Sequence, residues 1–414
     1  MPEKIILHAD FDSFFASVEQ QFNPKFRHKP LGVTATNGRT CIIASSREAK
    51  CLGIKTGSRT YEAKRICPSI ILIPANFIKY LEVSKKFLNI CKDYTPYVEL
   101  FSIDEVFMDI TSTVHLFDGA YGIIGKIKAR IKAEIGEYIT ASFGISHNKL
   151  LAKLASGLNK PNAVTEIKKE NFLEVYKRAK LTDICGIGKR IEERLNKIGI
   201  QTLLELRNTS LLFLVSEFGK AEGEFLKNIG FGIDSSPVVP YTTSSVVKSV
   251  GRNYCLPRNE YDQRIVLQNV YELCEEVGIK LRRLNKKART VGFSLSGNID
   301  SHKEKTHDYY FDTGNEIFRS LNRIGFLSEW NPNKTYIRQL SIWVKNLEDT
   351  KNLQTSLFDS ARQSSLQKTI DIINNRFGDH TIRNGFLLYA DKLTTVPNGY
   401  MADKYERVKL SDYH

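Results

Sequence analysis

The chain has 414 residues, 42% of them hydrophobic, 26% charged and 10% aromatic, the balance of a folded soluble protein rather than a disordered one. Lysine and arginine number 60 against 46 aspartates and glutamates, and the formal charge of +14 points to a polyanionic partner. The seven cysteines are widely spaced with no Cys-x-x-Cys, and the eight histidines are equally dispersed, which argues against a disulfide framework or a zinc site.

No run reaches the roughly 18 uninterrupted apolar residues of a spanning helix. Asp10 and Asp12 interrupt any signal-peptide core, so an intracellular protein of about two to four domains is expected. Residues 4–8 read as a strand running into Ala9-Asp10-Phe11-Asp12, and an amphipathic helix follows through Phe15, Val18 and Phe22. A small separate lobe comes next, with strands at 41–44 and 70–73, helices at 46–52 and 61–66, and a break at Gly53. After a helix over 77–93, residues 97–110 are β-rich on both sides of an acidic pair and predict a hairpin with Asp104 and Glu105 near its bend. A basic amphipathic helix over 125–136, a strand over 140–145 and a helix over 148–158, stopped by Asn159-Lys160-Pro161-Asn162, continue an α/β alternation. Residues 167–233 are helical with frequent glycine breaks, and the Ser, Thr and Pro of 235–245 read as a linker. Beyond it, a helical period over 264–284 and alternating stretches at 290–295 and 339–345 describe a second, sheet-containing domain, followed by a helix over 366–377.

Asp10, Asp12, Asp104, Glu105 and Asp109 all fall at or beside the ends of strands of one sheet. Carboxylates crowded on a strand edge repel one another unless divalent cations lie between them, and such a cluster can hold two Mg2+ ions about 4 Å apart for phosphoryl transfer. A second reading stays open on spacing alone, in which Asp12 caps a helix and Asp104 and Glu105 are turn residues.

Asp10-Phe11-Asp12-Ser13-Phe14-Phe15-Ala16-Ser17-Val18-Glu19 and Ser102-Ile103-Asp104-Glu105-Val106-Phe107-Met108-Asp109 resemble the two acidic motifs of Y-family translesion DNA polymerases, especially the DinB (polymerase IV-like) type. The resemblance continues in register through Gly144-Ile145-Ser146-His147-Asn148-Lys149, Asn159-Lys160-Pro161-Asn162, Gly186-Ile187-Gly188 and Ser249-Val250-Gly251-Arg252, over residues 1–350. It implies an α+β multidomain right hand: palm (1–13 and 77–166, a mixed sheet with helices), small fingers (14–76), helical thumb with a helix-hairpin-helix (167–234), linker (235–244), α/β little finger (245–348) and a C-terminal tail (349–414). By the same resemblance Asp10, Asp104 and the Phe11 carbonyl hold two Mg2+ ions, Glu105 completes the catalytic set, and Asp12 is less firmly placed. Phe15 falls at the aromatic steric gate that excludes a 2′-hydroxyl, although it also lies on the helix face shared with Val18 and Phe22. Phe14, Phe15, Arg47, Lys50 and Lys160 are the nucleotide-binding set; Ala44, Arg47 and Lys50 stand where the family often has Thr, Tyr and Arg, which puts hydroxyl contacts in doubt while keeping positive charge.

Two glycines at Gly186-Ile187-Gly188 let amides at the start of the next helix approach a phosphate, or form a simple turn; the resembled thumb favours the first, with Lys189 and Arg190 beside them. The run Lys280-Leu281-Arg282-Arg283-Leu284-Asn285-Lys286-Lys287-Ala288-Arg289 carries six positive charges and no acid, suited to a nucleic-acid backbone. Arg282, Arg283, Lys286, Lys287 and Arg289, with Ser249 and Arg252 on a strand along the template, make the little finger's DNA-binding set. Gln354-Thr355-Ser356-Leu357-Phe358 looks like the peptide by which bacterial replication proteins dock on a sliding clamp, with Gln354, Leu357 and Phe358 as contacts. The expected protein is thus a monomeric, cytoplasmic, nucleoid-associated DNA polymerase with primer-template DNA, dNTP and a sliding clamp as partners and no membrane association. Translesion synthesis with low fidelity, low processivity and no proofreading is the expected activity. A non-catalytic clamp- and DNA-binding scaffold and a two-metal nuclease are the alternatives.

Overall fold

The computed structural model describes residues 4–35, 41–243, 247–328, 330–353, 361–378, 381–388 and 390. Strand β1 (Ile6–Phe11) is buried along almost its whole length, as expected of a central strand whose neighbours satisfy both edges. It runs three residues beyond the expected 4–8, because Asp10 still pairs across to Glu105 and Ser142. After helix α1 (Phe14–Phe22), a lobe of β2 (Leu31–Thr34), β3 (Ile42–Ser45), α2 (Arg47–Cys51), α3 (Thr60–Ile66) and β4 (Ile71–Pro74) forms its own three-stranded sheet, β3-β2-β4. Ile42, Ala49, Ile54, Ala63, Cys67 and Ile70 give that lobe its own core.

The chain returns through α4 (Phe77–Lys92) to the hairpin β5 (Val98–Leu100) and β6 (Glu105–Asp109), with Asp104 at its bend as predicted. Helix α5 (Gly119–Arg130) begins six residues before the basic stretch and passes into a π-helical turn, Ile131–Ile135; its buried Ile123, Ile124 and Ile127, not its charges, decide where it lies. Strand β7 (Ala141–Ser146), α6 (Lys149–Leu158) and β8 (Val164–Glu166) complete a mixed sheet in the order β5-β6-β1-β7-β8. Helix α6 lies so close on β7 that a Cβ at Gly144 would stand 1.9 Å from the Ala152 carbonyl oxygen. Helices α7 (Phe172–Arg178), α8 (Lys189–Lys197), α9 (Leu203–Asn208), α10 (Leu211–Phe218) and α11 (Lys220–Phe231) share a further core containing Tyr176, Leu195, Leu206 and Leu226.

Residues 237–241, expected as part of a free linker, are tied down along the sheet edge. Val238 is buried with Ile6, Phe107 and Ala152, the Tyr241 amide donates to the Val98 carbonyl at 2.7 Å, and the Val239 amide donates to Glu99 at 2.8 Å. The apolar side chains at 238 and 241 supply the anchorage that a Ser/Thr/Pro count overlooks.

The chain divides into two compact units between Ser244 and Ser245. In the second, β9 (Ser249–Glu260), α12 (Gln263–Arg283), β10 (Lys286–Gly297), β11 (Asp300–Phe311), α13 (Gly314–Arg323) and β12 (Ile337–Asp349) form an antiparallel sheet β11-β10-β12-β9 with helices packed on it. Strand β11 went unpredicted because it is a charged edge strand, a composition that protects an open edge. Helix α14 (Ala361–Phe377) and residues 381–388 pack onto α12: Arg282 makes two bonds to Asp371, at 2.6 and 2.8 Å, Gln268 donates to the Phe386 carbonyl at 2.9 Å, and Leu387 is fully buried.

Candidate active site

Period-two alternation places His8 and Asp10 on one face of β1. Asp104 reaches the same edge because its carbonyl accepts the Phe11 N–H at 3.0 Å, and Ser102 Oγ donates to its Oδ1. Burial raises the pKa of Asp10, a shift opposed by Lys160 and reinforced by Asp104. Asp104 is raised by burial too, against the Ser102 hydrogen bond and with the Glu105 charge adding to the rise. Lys160 Nζ lies 2.6 Å from Asp10 Oδ1. A pair of half-buried, mutually repelling carboxylates fits a divalent cation, and a lysine ammonium partly fills that role here.

Glu105 turns to His8, whose Nε2 lies 3.0 Å from Oε2, and to Lys153, which bonds the same oxygen. Burial would raise this carboxyl, but the His8 bond and the Lys153 charge bring it down to about 2. Asp12 is a structural acid: its carboxylate accepts from Thr140 Oγ1 at 2.6 Å, Ser142 Oγ at 2.8 Å and the Asn162 amide at 2.7 Å, fixing the loop that carries Lys160. It does not cap α1, whose N-cap is Ser13. Asp109 likewise accepts from Thr111. With Glu105 and Asp12 so engaged, no three His, Cys, Asp or Glu side chains among the described residues converge as a complete metal site. Asp10 and Asp104 remain as a carboxylate pair that could hold a cation, since Mg2+ uses one or two carboxylates plus water and substrate oxygens.

Two further cations come from the small lobe. Lys50 Nζ donates to Ser13 Oγ at 2.8 Å, and Arg47 Nη2 bonds Thr140 Oγ1 and lies 3.8 Å from Asp12. Burial and the neighbouring Lys160 lower the Lys50 pKa, so positive charge is concentrated beside Asp10. Phe15 stacks on Tyr80 with centroids 4.4 Å apart and planes at 17°, edge-on to Phe77, and is 7% exposed. Phe14, expected as a nucleotide contact, is buried like Phe15, with its ring against Phe11 at 5.1 Å.

In the helical segment Gly186 has φ +105°, and a Cβ there would stand 2.6 Å from the Phe225 ring. Ile184 and Ile187 are buried, while Gly188, Lys189 and Arg190 are exposed at the start of α8. In the second unit the expected basic set separates. Ser249 is exposed, but Arg252 faces α12 and pairs with Glu276 at 3.0 Å, Arg282 is held by Asp371, and Lys286 pairs with Asp349 at 3.0 Å. All three are engaged within the unit by acids that are distant in sequence and lie on other elements. Arg283 donates to Asn375, Arg289 lies over Tyr310, and Lys287 is half-buried. Gln354, Leu357 and Phe358 lie outside the described residues.

Sequence reading missed His8, Ser102, Thr140, Ser142 and Lys153. His8 could have been found from its position two residues before Asp10 on one strand face; Lys153 had no local signal.

Residues 9–157 match the impB/mucB/samB family, residues 247–357 that family's C-terminal domain, and residues 182–234 the DNA polymerase-iota thumb domain. The chain belongs to the Y family of DNA polymerases and is of the DinB type. It is 34% identical to a DNA polymerase IV of Acetivibrio thermocellus over 95% of this chain and 100% of the relative, and 34% identical to one of Pelotomaculum thermopropionicum over 91% and 94%. A solved Y-family DNA polymerase chimera shares the fold with a TM-score of 0.71 and 26% identity, over 83% of this chain and 99% of the chimera. No helix among the described residues is long and apolar enough to cross a membrane.

Proposed function

We propose that the chain is a template-directed translesion polymerase that adds deoxynucleotides from dNTPs to a primer 3′-hydroxyl, with low fidelity and processivity and no proofreading. The observation that carries this reading is the meeting of Asp10 and Asp104 with Lys160, Lys50 and Arg47 at one sheet edge. Asp10, Asp104 and the Phe11 carbonyl would hold two Mg2+ ions, with Glu105 assisting; when bound, they supply activation of the attacking oxygen and charge neutralisation on the leaving phosphates. Lys160, Lys50 and Arg47 receive the triphosphate, and Lys160 exchanges its bond to Asp10 for a phosphate oxygen, freeing that carboxylate. Phe15, held flat against Tyr80, sets the floor under the sugar and excludes a 2′-hydroxyl.

Residues 1–13 and 77–166 are assigned as palm, 14–76 as fingers, 167–234 as thumb and 245–348 as little finger. A fingers lobe of this size lacks the large closing helix that tests base-pair shape, which supports tolerance of distorted templates. The amides of Gly186 and Gly188 with Lys189 and Arg190 grip a backbone phosphate, and Ser249, Arg283, Lys287 and Arg289 contribute on the little finger. Gln354, Leu357 and Phe358 dock a sliding clamp, and the enzyme acts as a monomer at the nucleoid. The test is primer extension with Mg2+ and one dNTP at a time on intact and abasic templates. Incorporation by the native chain and none by Asp104→Ala is expected; extension unaffected by that substitution would overturn the site assignment.

A further inference from the structure

We propose that His8 is a positioning residue for Glu105, an inference that rests on the catalytic reading of Glu105 given above. His8 is fully buried on β1, so neither nucleotide nor primer reaches it, yet it is not a space-filling core residue. Its Nε2 lies 3.0 Å from Glu105 Oε2 and its Nδ1 lies 2.7 Å from Ser156 Oγ on α6. The ring also packs on Phe107 with centroids 4.5 Å apart. Held at both nitrogens and on one face, the imidazole has a single orientation.

The consequence falls on the two oxygens of Glu105. Among the described residues both hydrogen-bonding partners of this carboxylate, His8 and Lys153, take Oε2, which leaves Oε1 free for a cation or a primer hydroxyl. Lys153 alone would fix the charge but not the angle, because its stem is long, rotatable and partly exposed. The rigid ring supplies the angle, as outer partners of ligating carboxylates do. Gly144 enters the same device: its missing side chain lets α6 sit against β7, and α6 carries both Ser156 and Lys153.

The experiment compares His8→Leu, His8→Gln and Glu105→Gln in single-nucleotide incorporation and in thermal melts of the metal-free full chain. His8→Leu removes the donor and is expected to lower kcat about tenfold or more, the worth of one hydrogen bond to a charged group, with KM for dNTP within about twofold. His8→Gln places an N–H near Nε2 and is expected to recover most of kcat while melting no higher than His8→Leu. In the metal-free wild type the Nε2-bound proton of His8 is expected to exchange slowly with solvent by NMR, and quickly in Glu105→Ala. An unchanged kcat in His8→Leu, or equal kcat losses in the Leu and Gln variants, would overturn the proposal. A fully active Glu105→Gln would instead sink the catalytic reading of Glu105, while the proton-exchange result still decides whether His8 holds it.

Discussion

Asp104→Asn separates stability from activity and so tests the charge arrangement of the site directly. In the wild type a half-buried carboxylate sits beside Asp10 and Glu105, with Ser102 bonded to its side chain. Relieving an incompletely compensated buried charge is worth about 1–3 kcal/mol, and weakening the Ser102 bond from charged to neutral returns about 0.5–1 kcal/mol. The net expectation for the metal-free protein is a gain of about 1 kcal/mol, or about 2–4 °C in Tm. The folded carboxyl titrates above its usual 3.8, so the native state loses stability as pH rises through that range; Asn carries no charge and escapes the loss. The advantage of Asn should therefore vanish near pH 4 and be complete at pH 8, as read by urea unfolding in EDTA, while incorporation falls to background. A variant less stable than wild type at pH 8, or a difference that does not change with pH, would refute the reasoning.

Five other outcomes follow from named contacts. Lys160→Gln is expected to raise KM for dNTP about tenfold, with a smaller effect on kcat, in steady-state incorporation. Phe15→Ala should increase ribonucleotide incorporation and, by emptying the space on Tyr80 and Phe77, cost about 3 kcal/mol in chemical unfolding. Gly144→Ala drives a methyl into the Ala152 carbonyl and should cost about 3 kcal/mol or more, seen as a lower urea midpoint together with lost activity. Lys189→Gln should weaken DNA binding and reduce its logarithmic salt slope by about one. Arg282→Gln should leave that slope unchanged and destabilise the second unit, because its partner is Asp371.

The acidic site was legible because its chemistry is packed into short stretches: Asp10 lies on one strand and Asp104 at one bend, and the sheet register does the rest. The basic site was less so, since a run of cations says nothing about which acids face it. Arg282 meets an aspartate 89 residues away, and Arg252 turns to the helix side of a strand whose alternation its flanking residues barely mark. Strand β11 hid behind its charge. His8 and Lys153 required both the sheet and the helix above it.

The stretch around Val238 has a meaning beyond tethering. Strand β5 is the outermost strand of its sheet, and such a border offers unpaired amides and carbonyls to any extended peptide that drifts past. With the Tyr241 amide on the Val98 carbonyl and the Val239 amide on the Glu99 side chain, the chain covers part of its own border against foreign strands. Substitutions that pry this stretch loose would therefore be felt first as clumping during expression, before any loss of catalysis was measured.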